Sequence, residues 1–264
     1  EAEFFVNLLA GWQLGACVSP LSSEATDAEI EWAISHSGAK LVFQNGQLRQ
    51  LPGGDAPAPG SALLLYTSGS SGHPKGVVLS YRALEEKLAV LLGVLSPKAM
   101  ERTLCFLPVS FGHGLIGNSL PPLLSGQTLF LEPAFTSDLA VRLGELIDQR
   151  GITFFSSVPS FWRAVLPFAS SPKAGSLRKV FCASAPLQPE DWKAISAWLG
   201  AKVDFRHVYG ITEAASWISA LPEGAPYLAA GDVGAGWGCE FSLDPASSEI
   251  LLRAPYLMSA YHRD

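Results

Sequence analysis

Residues 66–76, YTSGSSGHPKG, combine small, hydroxyl-bearing and cationic side chains directly after an apolar run at 63–65. Glycines let backbone N–H groups approach a ligand closely, hydroxyls donate hydrogen bonds, and Lys75 adds a mobile ammonium. Successive N–H groups beside a cation form a nest for phosphate oxygens. The segment is not a Walker A loop, because that loop has Gly-Lys-Ser/Thr at a helix start, whereas Pro74 and Gly76 flank Lys75. Its composition alone also fits an exposed Ser/Gly turn.

This segment lies within a regular alternation of strand-like and helix-like patterns. Strands are predicted at 17–21, 40–44, 63–67, 103–108, 128–132, 152–159, 177–184 and 202–210. Helices are predicted at 1–16, 27–38, 80–95, 115–126, 138–150, 160–168 and 189–200. Strands that alternate with helices of this length predict an α/β fold with mostly parallel sheets flanked by helices.

From about Gly224 the pattern changes to Gly- and Pro-rich sequence with short strand candidates at 240–243 and 249–254. We therefore expect two parts in the chain. Residues 1–223 form the α/β core, and residues 224–264 begin a short β-rich part.

Composition excludes several classes of function. The 264 residues carry a formal net charge of −6, which disfavours a nucleic-acid-binding surface because phosphate backbones require clustered Lys and Arg. The four cysteines are far apart and form no CxxC pair, so we expect buried thiols in a reducing compartment, the cytoplasm. No apolar run is long enough to predict a membrane span, and there is no signal-peptide pattern.

Two segments resemble the signatures of one known family. YTSGSSGHPKGVVLS (66–80) is similar to the phosphate-loop signature of the adenylate-forming superfamily, which includes acyl- and aryl-CoA synthetases, firefly-type luciferases and adenylation domains of peptide synthetases. VYGITEAAS (208–216) resembles the second signature, and ASAPL (183–187) resembles the turn upstream of it. The segments at 154–166, 231–237 and 249–264 also follow the family order. The resemblance extends over essentially the whole chain and implies the large N-terminal lobe of an acyl-CoA synthetase-like fold, with a nucleotide-binding core.

The resemblance implies an activity that needs ATP, Mg²⁺ and a thiol. Family members join a small-molecule carboxylic acid to AMP, and coenzyme A or a carrier-protein pantetheine then takes the acyl group. The chemical difficulty is crowded negative charge, since a carboxylate must approach a polyphosphate. Donors and a metal ion aimed at the phosphates reduce that repulsion.

The resemblance also assigns roles to individual residues. Lys75, Thr212 and Glu213 would be catalytic, with Thr212 donating to the α-phosphate and Glu213 ligating Mg²⁺, which prefers oxygen ligands. The nucleotide would contact Thr67, Ser68, Gly69, Ser70, Ser71, Gly72, Lys75, Ser184, Ala185, Pro186, Tyr209, Gly210 and Thr212. Taken alone, Glu213 could instead be an acid in a helix first turn, and Tyr209 a core aromatic.

The acid-binding pocket is expected around LPVSFGHGLIGN (107–118). Many acyl-CoA synthetases have a His three places after the Pro, where this chain has Phe111, with His113 two residues later. A surface or core role for His113 is an open alternative. The segment contains no acid to pair with an ammonium, which favours an acyl or aryl acid over an α-amino acid. Our candidates for the pocket lining are Phe111, Gly112, His113, Leu115, Ser216 and Trp217.

The sequence lacks the family's later segments. We expect the C-terminal lid domain to be absent, so that this chain is the middle of the large lobe, binds ATP weakly if at all, and is weakly active or inactive in adenylation by itself. Three functions remain open: an acyl- or aryl-CoA ligase, a stand-alone adenylation unit that loads an acyl carrier protein, and a non-catalytic nucleotide-binding or interaction module.

Overall fold

The computed structural model describes residues 2–67, 74–133 and 136–263. Its α-helices are α1 (Ala2–Gln13), α2 (Asp27–Ser37), α3 (Tyr81–Val94), α4 (Leu120–Leu124), α5 (Ser137–Arg150), α6 (Pro159–Val165) and α7 (Pro189–Leu199). A π-helix spans His113–Ser119, and a single 3₁₀ turn spans Thr212–Ala214.

The strands fall into two main sheets and two hairpins. They are β1 (Leu41–Gln44), β2 (Gln47–Gln50), β3 (Ser61–Thr67), β4 (Lys75–Ser80), β5 (Arg102–Cys105), β6 (Thr128–Leu131), β7 (Phe154–Ser157), β8 (Lys179–Cys182), β9 (Asp204–Ile211), β10 (Ser216–Ala220), β11 (Ala235–Gly236), β12 (Glu240–Leu243), β13 (Ile250–Arg253) and β14 (Ala260–His262).

The larger sheet has seven strands in the described part of the chain, in the order β11-β10-β9-β8-β7-β5-β6. The five strands from β6 to β9 in this order are parallel to their neighbours, whereas β10 and β11 are antiparallel. The predicted α/β class with mostly parallel strands flanked by helices is confirmed.

Both faces of this sheet are buried. Along β7 and β8, alternate side chains enter two different core clusters: Phe154 and Phe181 pack on one face, and Phe155 and Val180 pack on the other. The first cluster includes residues of α3, the π-helix and the smaller sheet, and the second includes residues of α5, α6 and α7. Continuous apolar strands are therefore required, as in other parallel sheets covered on both sides.

The smaller sheet corrects one sequence expectation. The pattern predicted that strand 63–67 leads through the Ser/Gly loop into a helix, with parallel pairing. Instead β4 follows the loop and pairs antiparallel with β3, with Thr67 opposite Lys75. The cause is the apolar run at 77–79, which is buried in β4 and pairs with β3. Ser80 then caps α3 by accepting a hydrogen bond from Ala83 N.

Three further elements differ from the sequence expectations. The segment 17–21 makes an isolated bridge between Val18 and Leu63 rather than a strand. Residues 115–126 form the end of the π-helix followed by the short α4. Strand β10, which is buried throughout, was not predicted, because its five residues fall between the second signature and the Gly/Pro-rich region.

The described elements after residue 224 are strands. β11 joins the seven-stranded sheet, β14 pairs with β4 in the three-stranded sheet, and β12 and β13 form an exposed hairpin. The short β-rich C-terminal part is thus present, while the division of the chain at 223 stays a prediction. Within the described residues, no helix is both long and apolar enough to cross a membrane.

Candidate functional site

Lys75 lies at the start of β4, in the antiparallel hairpin of β3 and β4 that we call the Lys75 hairpin. Thr67 faces it across the hairpin as the last residue of β3. Both side chains are half-buried. Five predicted nucleotide contacts, Ser68, Gly69, Ser70, Ser71 and Gly72, lie outside the described residues.

Thr212 and Glu213 form a corner at the end of β9. The strand ends at Ile211, the 3₁₀ turn follows, and the chain reverses through Ala215 and Ser216 into the antiparallel β10. Ala215 and Ser216 have φ angles of 53° and 95°, which are unusual for residues with a side chain. This reversal leaves Thr212 and Glu213 half-buried at the carboxyl end of a parallel strand, where α/β proteins commonly bind ligands.

The Lys75 hairpin and the Thr212–Glu213 corner meet at Tyr261 of β14. The Tyr261 hydroxyl donates a hydrogen bond of 2.9 Å to Glu213 Oε1, and the Lys75 ammonium lies 4.8 Å from the centroid of the same ring. The backbone reinforces this contact, since Met258 N donates to the Glu213 carbonyl and Ser259 N donates to the Val78 carbonyl of β4. Residues 258–261 therefore join the Lys75 hairpin to the Thr212–Glu213 corner.

A cavity of about 330 Å³ opens beside Thr212. Its wall combines the segment before the π-helix, the ends of β7 and β8, and the reversal between β9 and β10. The lining residues are Leu107, Pro108, Phe111, Gly112, His113, Gly114, Val158, Ala183, Ser184, Gly210, Ile211, Thr212, Ser216 and Trp217. This set carries no Asp, Glu, Lys or Arg side chain.

The cavity brings together eight predicted site residues: Phe111, Gly112, His113, Ser184, Gly210, Thr212, Ser216 and Trp217. Leu115 differs from its predicted place. It is fully buried in the core beneath the cavity and is not one of the lining residues, because the π-helix turns its side chain inward. Tyr209 packs beside Ala214, Ile218 and Tyr256, outside the lining set.

His113 lies in the cavity wall, where each of its ring nitrogens is hydrogen-bonded to a serine. Its Nδ1 lies 2.8 Å from Ser184 Oγ, and its Nε2 lies 2.7 Å from Ser156 Oγ on β7. Desolvation lowers the pKa of His113 to about 3, so the ring is neutral at physiological pH. A neutral imidazole engaged at both nitrogens fixes the wall and does not offer a charge to a ligand.

The turn predicted to contact the nucleotide is exposed at Ser184, Ala185 and Pro186. Ser184 has a φ of 71°, and the Ala185 carbonyl accepts a 3.0 Å hydrogen bond from His207 Nε2. His207 is buried on β9, two residues before Tyr209. The turn is thus tied directly to the strand that leads to Thr212.

Close approach of β10 to its neighbours requires two glycines. A Cβ on Gly210 would lie 2.4 Å from the Ser216 carbonyl oxygen, and a Cβ on Gly117 would lie 2.8 Å from both Ser216 Oγ and Trp217 Cε2. Ser216 Oγ and Trp217 Nε1 are buried without a hydrogen-bond partner in the described part of the chain. Both residues line the cavity, so a bound molecule could supply those partners.

Sequence reasoning did not single out Tyr261, Ser156 or His207. Each acts through a contact with a residue distant in the chain, and no local pattern marks such a contact. Tyr261 stands in a segment that followed the family order, which is the only signal that could have drawn attention to it.

Comparisons with known proteins found sequences similar to this chain. Feruloyl-CoA synthase from Amycolatopsis sp is 29% identical over 244 residues, which cover 83% of this chain and 48% of that enzyme. Phosphinothricin tripeptide synthetase PhsB from Streptomyces viridochromogenes is 33% identical over 240 residues, which cover 81% of this chain and 20% of that synthetase. The chain spans about half the length of the feruloyl-CoA synthase it matches.

The fold has close counterparts among solved structures. ATP-bound MatB from Rhodopseudomonas palustris superposes with a TM-score of 0.81 at 23% identity, and the match covers 100% of this chain and 60% of that protein. The profile of the AMP-binding enzyme family matches residues 52–262, which contain the Lys75 hairpin, the cavity and Tyr261. On the extent of that match, the chain belongs to the family of AMP-binding enzymes.

Proposed function

We propose that the chain supplies the nucleotide- and acid-binding part of an ATP-dependent acid–thiol ligase, which activates a carboxylic acid as its adenylate before thioester formation. One observation carries this proposal. Lys75 and Glu213 contact the same Tyr261 side chain, and Thr212, next to Glu213, lines the cavity. A cation, a hydroxyl and a carboxylate therefore face one region, which is what a polyphosphate and its metal ion need.

In this proposal Lys75 and Thr67 hold the terminal phosphates together with Ser68, Gly69, Ser70, Ser71 and Gly72. Thr212 donates to the α-phosphate where the acid attacks. Ser184, Ala185, Pro186, Tyr209 and Gly210 form the adenine side. Residues 1–223 would be the nucleotide-binding core and residues 224–264 the start of the β-rich part.

Glu213 is the candidate ligand for Mg²⁺. Its Oε1 accepts from Tyr261, which orients the carboxylate and leaves further lone pairs available. Among the described residues no group of three His, Cys, Asp or Glu side chains could hold a metal alone. One carboxylate completed by phosphate oxygens is the usual environment for Mg²⁺, so the residues fit the ion.

The cavity supports an uncharged acyl or aryl group as the substrate. Its lining has no ionised side chain, since His113 is neutral, so it cannot balance an ammonium or a second carboxylate. Phe111, His113 and Trp217 supply aromatic walls. We therefore propose a monocarboxylic acid with a neutral, preferably aromatic, body.

Coenzyme A is the proposed acceptor, which the similarity to feruloyl-CoA synthase supports. A carrier-protein pantetheine is a second candidate, which the similarity to the tripeptide synthetase favours. Transfer of radiolabelled acyl groups to coenzyme A or to a pantetheinylated carrier distinguishes the two acceptors.

Calorimetric titration of Mg·ATP tests the nucleotide site. Wild type should bind, Lys75→Ala and Thr212→Val should bind at least tenfold more weakly, and Lys202→Ala, which changes an exposed lysine, should match wild type. Equal weak signals in all four proteins would instead support a non-catalytic module. Calorimetric titration of benzoate, compared with that of an α-amino acid and of a dicarboxylate, tests the substrate class.

A further inference from the structure

Lys87 is a buried lysine that the proposed function leaves unused. It lies in α3 with no solvent exposure, enclosed in the core. Its Nζ donates a 2.7 Å hydrogen bond to the Trp217 carbonyl and lies 3.4 Å from the centroid of the Tyr256 ring. Lysine is rarely buried completely unless its head group has specific partners, and the Trp217 carbonyl and the Tyr256 ring are such partners here.

The carbonyl that Lys87 binds lies at an irregular point of β10. Trp217 pairs with Gly210 of β9, but Ser219 pairs with the adjacent Tyr209, so Ile218 is an extra residue in β10. A bulge of this kind leaves backbone groups without ladder partners and redirects the neighbouring side chains. Trp237 N donates to the Ile218 carbonyl, and Lys87 Nζ donates to the Trp217 carbonyl.

The bulge is next to the part of the cavity lined by Phe111, His113 and Trp217, which the proposed function assigns to the acid and which we call the acid end. Ser216 and Trp217, which precede the extra residue, both line the cavity, and Trp217 contacts the His113 ring edge-to-face at 5.4 Å. Lys87 itself is not a lining residue. It can therefore affect bound acid only through the position of β10.

We infer that Lys87 is a positioning residue that holds the β10 bulge and so sets the shape of the acid end of the cavity, without taking part in nucleotide binding. This inference rests on the proposed function for its ligand, while the contact with β10 stands independently. The ammonium suits the task because it has three donors and a positive charge that the face of Tyr256 attracts.

Burial limits how Lys87 can be replaced. Desolvation lowers the pKa of Lys87 to about 7. Both protonation states can donate to the Trp217 carbonyl, whereas a side chain without a donor leaves that carbonyl unpaired in the core. Lys87→Met keeps the length of the side chain and removes the donor, and Lys87→Gln keeps an N–H donor without charge.

Two measurements test the inference. The first is hydrogen exchange by mass spectrometry without ligand, comparing residues 216–220 with α7 as an internal reference. Lys87→Met should speed exchange in 216–220 at least tenfold and leave α7 unchanged, Lys87→Gln should restore part of the protection, and Lys202→Met should match wild type. Unchanged exchange in 216–220 would show that Lys87 does not hold the bulge.

The second measurement compares the affinities of AMP and of a benzoyl-sulfamoyl adenosine, a stable analogue of an aryl adenylate. In Lys87→Met the dissociation constant of the analogue should rise about tenfold because the displaced β10 no longer fits its acyl group, while that of AMP stays within twofold. Equal losses for both ligands, or none, would overturn the role at the acid end.

Other outcomes separate the two proposals. If wild type binds neither ligand, the proposed function and the acid-end role are both wrong, whereas the exchange data still decide whether Lys87 holds β10. If Lys87→Met does not fold by circular dichroism, Lys87→Gln carries both measurements, and its shorter side chain should give the same changes at smaller size. No change from wild type in either measurement would then overturn the inference.

Discussion

The Tyr261 hydroxyl lies 2.9 Å from Glu213 Oε1 and donates a hydrogen bond to it across 48 residues of chain. The same ring lies beneath the Lys75 ammonium. One aromatic side chain thus links the two signature segments, which belong to different sheets. The carboxylate and the ammonium are held near each other before any ligand binds, which lowers the cost of organising the site.

Removal of the Tyr261 hydroxyl should weaken both the corner and the metal site. In Tyr261→Phe we expect the free energy of unfolding to fall by about 1–2 kcal/mol, because the hydrogen bond to a carboxylate is lost while the ring under Lys75 stays. Denaturant unfolding measures this change, and a double-mutant cycle with Glu213→Gln should show coupling between the two positions. Strict additivity of the two changes would contradict the linkage.

Replacement of Lys75 should reduce nucleotide affinity without unfolding the protein. Lys75→Met removes the ammonium that lies over Tyr261 but keeps most of the length of the side chain. We expect the dissociation constant of Mg·ATP to rise about ten- to hundredfold, as for the loss of a charge-assisted hydrogen bond of about 1.5–3 kcal/mol. Lys202→Met is the matched control, and an equal effect in both variants would argue against a phosphate contact.

Gly210 should not tolerate a side chain. A methyl group there meets the Ser216 carbonyl oxygen and the Trp217 Cα, both backbone atoms that cannot move without shifting β10. Gly210→Ala should destabilise the fold by roughly 1–3 kcal/mol. Gly93→Ala in α3, where nothing lies within 4 Å of the new carbon, should instead stabilise it by about 0.5–1 kcal/mol. Thermal unfolding of the two variants shows whether each one is less or more stable than wild type.

His113 should make the fold sensitive to acid. The unfolded chain protonates this ring below about pH 6.5, whereas burial keeps the pKa of the folded state at about 3. Between these values the unfolded state binds more protons, so stability falls as pH falls. Relative to wild type, His113→Gln should lose less stability from pH 6.5 to pH 4. Parallel pH profiles of the free energy of unfolding would show that His113 is not the group responsible.

Lys87 should make the stability of the fold depend on pH in a higher, alkaline range. Burial lowers the pKa of Lys87 to about 7 in the folded state, whereas a lysine exposed in the unfolded chain has a pKa of 10.5. Between these values the unfolded chain binds the additional proton, so stability contributed at this position rises as pH increases from 7 to about 10. Over that range the free energy of unfolding of wild type should rise relative to that of Lys87→Met. A constant difference would mean that Lys87 does not titrate there.

The sequence was most informative where chemistry and periodicity coincide. The alternation of apolar strands and helices predicted the parallel sheet, and the two signatures predicted residues that do converge, because turn glycines and hydroxyl-bearing residues leave a local pattern. Eight of the predicted residues line the cavity, including His113 and Thr212. Their roles in binding stay predictions until the ligands are measured.

What the sequence did not predict depends on contacts between distant segments. The antiparallel hairpin that carries Lys75 was missed because its second strand adjoins a strong helix signal without an intervening turn. The inward turn of Leu115 follows from π-helical geometry, which shifts side chains relative to an α-helix. Tyr261 and Lys87 act on partners 48 and 130 positions away, so no spacing rule could indicate them.

The Lys75 hairpin and the Thr212–Glu213 corner belong to separate sheets, and this placement has a mechanical consequence. Thr67 and Lys75 belong to the three-stranded sheet, whereas Thr212 follows a strand of the seven-stranded sheet. No ladder of backbone hydrogen bonds runs between those two sheets within residues 2–67, 74–133 and 136–263. A nucleotide that contacts residues of both sheets, as proposed, would hold the two sheets together. The sheets could then move relative to each other only after the nucleotide had dissociated.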